Sequence, residues 1–116
     1  MPHWLTGHHV IRSMHATTNS ARQRYGLPPL VLDLSMSLAA QRWAVEMSRT
    51  GYRHSPWQRP YVWRECIHCG PTSAAACVRD WVWSPDHRSI LLSGRRAGFG
   101  YWKTNGGHTF WAAEIT

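Results

Sequence analysis

A chain of 116 residues with 43% hydrophobic residues is long enough for one domain around one core and too short for two. Its formal net charge of +7 suits anionic partners, but the arginines are scattered and no nucleic-acid-binding motif appears, so nucleic acid is not an expected partner. No apolar run approaches the roughly 20 residues that span a bilayer, and Met1–His9 lacks the apolar centre of a signal peptide.

Apolar residues at helical spacing and helix start and stop signals predict four helices, and the last three are preceded by a candidate capping side chain. Gly51 follows the second helix, where a C-terminal glycine is favoured. The segment Tyr52–Trp63, with its two prolines, is predicted to be an ordered loop. The predicted helices run from Val10 to Arg24, from a cap at Asp33 or Ser35 to Thr50, from a cap at Thr72 or Ser73 to Val82, and from Ser84-Pro85 onward.

Short strands are predicted between and after these helices, and Thr104–Gly107 carries the Asn-Gly signal of a tight hairpin turn. The fold class is therefore α+β, with three to four helices packed on a small, mainly antiparallel sheet. The predicted strands are Glu65–Cys69, Ala97–Trp102 and His108–Ile115.

Two side chains near the middle of the chain are candidates for a polar site. Glu65 lies in an apolar strand between Trp63 and Ile67, and a carboxylate buried there needs a cation, a metal or several hydrogen-bond donors. His54 follows the second helix and precedes Ser55; a loop histidine of this kind is either a structural group or a ligand.

His87 is predicted to lie in the first turn of the fourth helix. The positive end of the helix dipole favours the neutral imidazole there, which is the form that binds a metal or accepts a proton. The adjacent Asp86 acts in the opposite direction. A capping or surface histidine is the alternative interpretation.

Three cysteines, an odd number, leave at least one thiol unpaired in a monomer. Cys66 and His68 should share one strand face and Cys69 the other, so the Cys-x-x-Cys pair does not predict a zinc site. Buried thiols or one disulfide among Cys66, Cys69 and Cys77 are the favoured interpretations, and the pairing cannot be read from the sequence.

Seven short motifs in one order resemble the CAP superfamily, also called the SCP or cysteine-rich secretory, antigen 5 and pathogenesis-related 1 domain, in its compact bacterial form. The resemblance covers about residues 19–115 of a single domain, 1–116, whose residues 1–9 are expected to be loosely ordered. The motifs are Asn19-x-x-Arg22, Gly26-Leu27-Pro28-Pro29-Leu30, Gly51-Tyr52-Arg53-His54-Ser55, Glu65-Cys66-Ile67-x-x-Gly70, Trp81-x-x-Ser84-Pro85-x-His87-Arg88-x-Ile90-Leu91, Gly98-x-Gly100-Tyr101 and Phe110-Trp111.

The resemblance implies an α-β-α sandwich whose cleft holds two histidines and two acids, matched here by His54, Glu65 and His87. Asp86 is the nearest candidate for the second acid, and Cys66 replaces the family's asparagine. The resemblance implies that His54, Glu65 and His87 can bind a divalent metal, Zn or Ca.

The resemblance also implies a secreted or envelope location. Its implied partners are an unidentified ligand, a lipid, a cell-wall polymer or a protein. The alternative function is a metal-dependent, peptidase-like hydrolase with Glu65 or Asp86 as its general base.

Overall fold

A computed structural model describes Trp4 and residues 8–56 and 63–116. The prediction that residues 1–9 are loosely ordered lies largely outside the described residues. Residues 57–62 of the loop predicted at Tyr52–Trp63 also lie outside them. None of the described helices is long and apolar enough to cross a membrane. The elements are α1 (His9–Arg24), β1 (Val31–Leu32), α2 (Leu34–Thr50), β2 (Arg64–Cys69), α3 (Ala74–Trp83), α4 (Pro85–Leu91), β3 (Arg96–Lys103) and β4 (Thr109–Ile115).

All four predicted helices are present, and the structure selects among the predicted caps. Asp33 caps α2, because its Oδ1 accepts a 2.9 Å hydrogen bond from the Met36 amide. Ser73 caps α3 through a 3.1 Å bond from the Ala76 amide. Ser84 occupies the N-cap of α4, but its hydroxyl makes no capping bond, so that part of the prediction is wrong.

The four strands form one mixed sheet in the order β1-β3-β4-β2. The pairs β3–β4 and β2–β4 are antiparallel, which confirms a mainly antiparallel sheet. The parallel pair β1–β3 was not predicted. Strand β1 has only two residues, and Val31 is 64% exposed, so its sequence carries no alternating apolar pattern. It is defined by its pairing with β3, because the amides of Val31 and Asp33 donate to the carbonyls of Arg95 and Ala97.

Helix α2 packs directly on one face of the sheet because two glycines of β3 leave room for its backbone. A Cβ at Gly98 would lie 2.1 Å from the carbonyl carbon of Met36, and one at Gly100 would lie 2.3 Å from that of Ala40. Trp43, Met47, Ile67 and Ala112 complete this side of the core.

The opposite face of the sheet packs on α1, α3 and α4, which completes an α-β-α sandwich. Trp81, Trp111 and Phe99 are the largest apolar side chains buried there. Burying such rings dominates the apolar contribution to folding in a domain of this size.

Arg22 explains the Asn19-x-x-Arg22 motif, because it joins the end of α1 to two loops. The guanidinium is 1% exposed and donates to the carbonyls of Pro28, Leu91, Ser93 and Gly94 at 2.8–3.1 Å. Its burial lowers the pKa of Arg22, and these four acceptors compensate the buried charge.

Candidate functional site

Glu65 lies on β2, is 0% exposed and has both carboxylate oxygens in hydrogen bonds. Oε1 accepts from the Ser55 amide at 2.9 Å and lies 2.9 Å from His54 Nδ1. Oε2 accepts from the Ser55 hydroxyl at 2.5 Å. Of the three predicted ways to compensate this carboxylate, the structure shows several donors.

The loop after α2 is held so that these donors face β2. Helix α2 ends at Thr50, and the next residue, Gly51, caps it with a φ of 120° that is disfavoured for other residues. The Trp43 indole then donates a 2.8 Å bond to the Arg53 carbonyl, and the Arg53 guanidinium lies 4.9 Å above the same ring. This anchor directly precedes His54 and Ser55.

The Glu65 contact orients His54. In the neutral imidazole with a proton on Nδ1, that proton points to Glu65, and Nε2 carries the lone pair. The side chain is 42% exposed and borders a 940 Å³ groove along the outer surface of α2, together with Leu38, Arg42 and Arg49. His54 therefore has one nitrogen fixed by the protein and one available for a ligand.

His87 lies in the first turn of α4, as predicted, and its Nδ1 lies 2.8 Å from the Ser84 hydroxyl. Burial is the main cause that lowers the pKa of His87, and the positive charges of His54 and His68 lower it further against the opposing charge of Asp86. His87 is thus held neutral at neutral pH.

The structure brings two of the three predicted metal ligands into direct contact. His54 and Glu65 are in direct contact, whereas His87 borders a different hollow of 470 Å³ and interacts with His54 through its charge. Within residues 8–56 and 63–116 no group of three His, Cys, Asp or Glu side chains is arranged to hold a metal ion. A metal held by His54, Glu65 and His87 stays a prediction.

Neither candidate general base is placed as an obvious catalyst. Asp86 is exposed on the first turn of α4, and its backbone carbonyl accepts from the Ser89 hydroxyl. Glu65 is fully buried, and three donors occupy its oxygens. A general base must reach a proton of the substrate or of water, which the buried Glu65 does not.

Two polar features near the site were not predicted. Glu114 on β4 is the cross-strand partner of Glu65 and is also 0% exposed. His68 Nε2 lies 2.9 Å from Asp80 Oδ2 of α3. The signal that could have revealed Glu114 is a glutamate within the apolar run of β4. The contact between His68 and Asp80 had no such signal, because it depends on how α3 packs against β2.

The three cysteines are free thiols in the structure. Cys66 and Cys77 are buried, and burial raises the pKa of both thiols, so both remain protonated at neutral pH. Cys69 is exposed on the opposite face of β2, which confirms the predicted alternation.

The effect of the His54 charge on the pKa of His87 is testable. We expect His54→Gln to raise the pKa of His87, because the positive form of His54 lowers it in the intact protein. Titration of the imidazole carbon-bound protons by NMR measures the shift, with His108→Gln, an exposed change on the hairpin, as the control. An unchanged or lower pKa of His87 would contradict the electrostatic contact.

Comparisons with known proteins agree on one family. The model of the family described as "CAP: Cysteine-rich secretory protein family" matches residues 15–114. Among curated protein sequences, none matches this chain significantly.

Among solved structures, the chain resembles an outer surface protein of Borrelia burgdorferi, with a TM-score of 0.81 and 16% identity over 92% of this chain and 91% of that one. It also resembles a cysteine-rich secretory protein of Staphylococcus aureus, with a TM-score of 0.71, 15% identity and 93% and 39% coverage. An extracellular SCP-domain protein of Bacillus anthracis gives a TM-score of 0.66, 18% identity and 100% and 44% coverage. This chain thus spans less than half of the latter two proteins, and at these identities the likeness concerns the fold.

Proposed function

Because this chain belongs to the CAP, or cysteine-rich secretory protein, family, we propose that it is a secreted or envelope-associated binding module whose cleft at His54, Glu65 and His87 holds a divalent ion and serves ligand or partner binding. The location rests on the relatives, whose descriptions are those of an outer surface protein, a secretory protein and an extracellular protein.

The observation that carries the proposed ion site is the 2.9 Å contact between His54 Nδ1 and the buried Glu65. Metal-binding histidines generally donate a hydrogen bond from the N–H of their second ring nitrogen to a carboxylate or carbonyl. This bond fixes the ring and makes the ligating nitrogen more basic. Glu65 has this relation to His54. In this proposal Glu65 therefore orients a ligand, and the imidazoles of His54 and His87 contact the ion.

The available donor set suits zinc better than calcium. Both histidines have Nδ1 engaged, by Glu65 and by Ser84, which leaves Nε2 of each for an ion. Imidazole nitrogens suit Zn²⁺, whereas Ca²⁺ takes six to eight oxygens. An ion held by two histidines keeps open positions, and when bound it would supply a Lewis-acidic contact for a carbonyl or carboxylate of the ligand.

We expect Zn²⁺ to raise the melting temperature of this protein and the variant His54→Ala/His87→Ala to lose that response. Since losing only an orienting partner weakens metal affinity by ~10–100-fold, losing both imidazoles should exceed that range. Calorimetric titration of the metal-free protein with Zn²⁺ measures the affinity. Glu65→Gln should give an intermediate loss.

The matched control is His108→Ala, which removes an exposed histidine from the β3–β4 hairpin. Equal Zn²⁺ affinity in the double variant and the control would overturn the cleft proposal. The same preparations, assayed on peptides and esters with Zn²⁺ present, should show no turnover. Turnover lost in the double variant would favour the hydrolase alternative.

A further inference from the structure

A second hollow, which His87 borders, lies between β2, α3 and the start of α4. Its volume is 470 Å³, within the usual range of small-molecule pockets. We call it the aromatic pocket; the side chains that matter here are Tyr52, His68, Asp80, Trp83, Ser84 and His87.

Exposed aromatic rings form part of its wall. Trp83 is 78% exposed and Tyr52 is 49% exposed, although rings of this size usually bury most of their surface. Trp83 is the last residue of α3 and directly precedes Ser84, so its indole stands at the rim of the pocket. A flat apolar face is thus available to a ligand.

The floor of the pocket is fixed before any ligand arrives. The Ile67 carbonyl accepts from the Tyr52 hydroxyl at 3.1 Å and from the Trp81 indole at 3.0 Å. Trp81 is 1% exposed, so this ring cannot turn away. Binding therefore requires little reordering of the protein, which favours affinity.

The polar wall of the pocket is built from a histidine–aspartate pair. His68 Nδ1 accepts from the Cys69 amide at 3.0 Å, so its Nε2 carries the proton that is donated to Asp80 Oδ2 at 2.9 Å. The Asp80 side chain is 49% exposed, and its Oδ1 has no hydrogen-bond partner in the described part of the chain. That oxygen can accept hydrogen bonds from a ligand.

From these features we propose that the aromatic pocket binds a neutral sugar unit of an oligosaccharide. The C–H face of a pyranose ring is apolar and flat and stacks on an exposed indole such as Trp83. The hydroxyl groups at the edge of that ring donate to a carboxylate such as Asp80 and exchange hydrogen bonds with imidazole and hydroxyl groups, which His87 and Ser84 supply.

The charges of the pocket favour a neutral ligand over a cation. An aromatic site for a quaternary ammonium group combines cation–π contacts with the help of nearby negative charge. Here the Asp80 carboxylate is already bonded to His68, and the whole chain carries a net charge of +7. A long acyl chain would leave Asp80, His68 and Ser84 without hydrogen bonds to the ligand.

This inference does not depend on the ion proposed above, because none of the contacts with Trp83, Tyr52 or Asp80 requires a metal. The two proposals share His87 and its partner Ser84 and otherwise use different residues. His54→Ala should therefore abolish Zn²⁺ binding and leave sugar binding intact, and a chelator should do the same.

The test titrates the ¹⁵N-labelled protein with the β-1,4-linked trimers of N-acetylglucosamine and of glucose. We expect the indole N–H signal of Trp83 to shift with at least one trimer at millimolar concentration. Trp83→Ala should weaken that binding by about tenfold or more, in line with the loss of a stacked aromatic contact. Asp80→Asn should weaken it through the loss of the charged acceptor.

The matched control is Trp102→Ala, which removes a 43% exposed tryptophan on β3 that does not line the pocket, and it should bind like the parent protein. The proposal is overturned if neither trimer binds, or if Trp83→Ala and Trp102→Ala bind equally. Displacement of the trimer by choline, or binding of choline alone at Trp83, would assign the pocket to a cation instead.

Discussion

Gly98→Ala is expected to lower the free energy of unfolding by ~4 kcal/mol or more, at the destabilising extreme for a single substitution. The added Cβ would lie 2.1 Å from both the Met36 carbonyl carbon and the Ser37 amide nitrogen. These are backbone atoms of the first turn of α2, so no side-chain rotation relieves the overlap. Either α2 separates from the sheet or β3 bends. Urea denaturation followed by circular dichroism measures the loss.

Gly106→Ala is the matched control for this prediction. Its Cβ would meet nothing closer than 3.5 Å, at Cδ2 of His108, and Gly106 does not have a positive φ. Both substitutions reduce the freedom of the unfolded chain equally, so the difference between them reports the overlap with α2. If the two variants unfold at similar urea concentrations, a Cβ at position 98 does not overlap the α2 backbone, and the close approach of α2 to β3 is contradicted.

The helices of this fold could be predicted because their signals are local. Asp33 and Ser73 are capping side chains immediately before apolar periodic segments, and both cap helices in the structure. Strand β1 had no comparable signal, since Val31 and Leu32 become a strand only when β3 lies beside them. The Gly98-x-Gly100 motif of β3 is visible in the sequence. Its role, which is to leave room for the backbone of α2, depends on tertiary packing that the sequence pattern does not contain.

The site could be predicted in part for the same reason. A glutamate in an apolar strand must be compensated, and the donors come from His54 and Ser55, which lie 10–11 residues earlier in the chain. The placement of His87 depends on how α4 packs, and the Ser84 hydroxyl bonds to its ring where a cap was expected. Glu114 reaches the side of Glu65 through strand order and register, which no local pattern contains.

Glu65→Ala is expected to lower the free energy of unfolding by ~3 kcal/mol, because it leaves buried donors without an acceptor. The Ser55 amide and hydroxyl and the His54 Nδ1 proton all lose their partner, and the first two are buried. The loop that carries His54 should also become less ordered. Urea denaturation measures the stability, and amide exchange at Ser55 measures the local effect.

Glu65→Gln is the control that keeps the shape of the side chain. Its single carbonyl oxygen still accepts from the Ser55 amide, and the Ser55 hydroxyl can rotate to accept from the new amide nitrogen, so a loss of only ~1 kcal/mol is expected. If the alanine variant is as stable as the glutamine variant, the three donors are satisfied by water and Glu65 does not hold the loop. A large loss in the alanine variant alone would show that the acceptor oxygen at position 65 holds the loop of Ser55 and His54, because glutamine keeps such an oxygen and alanine does not.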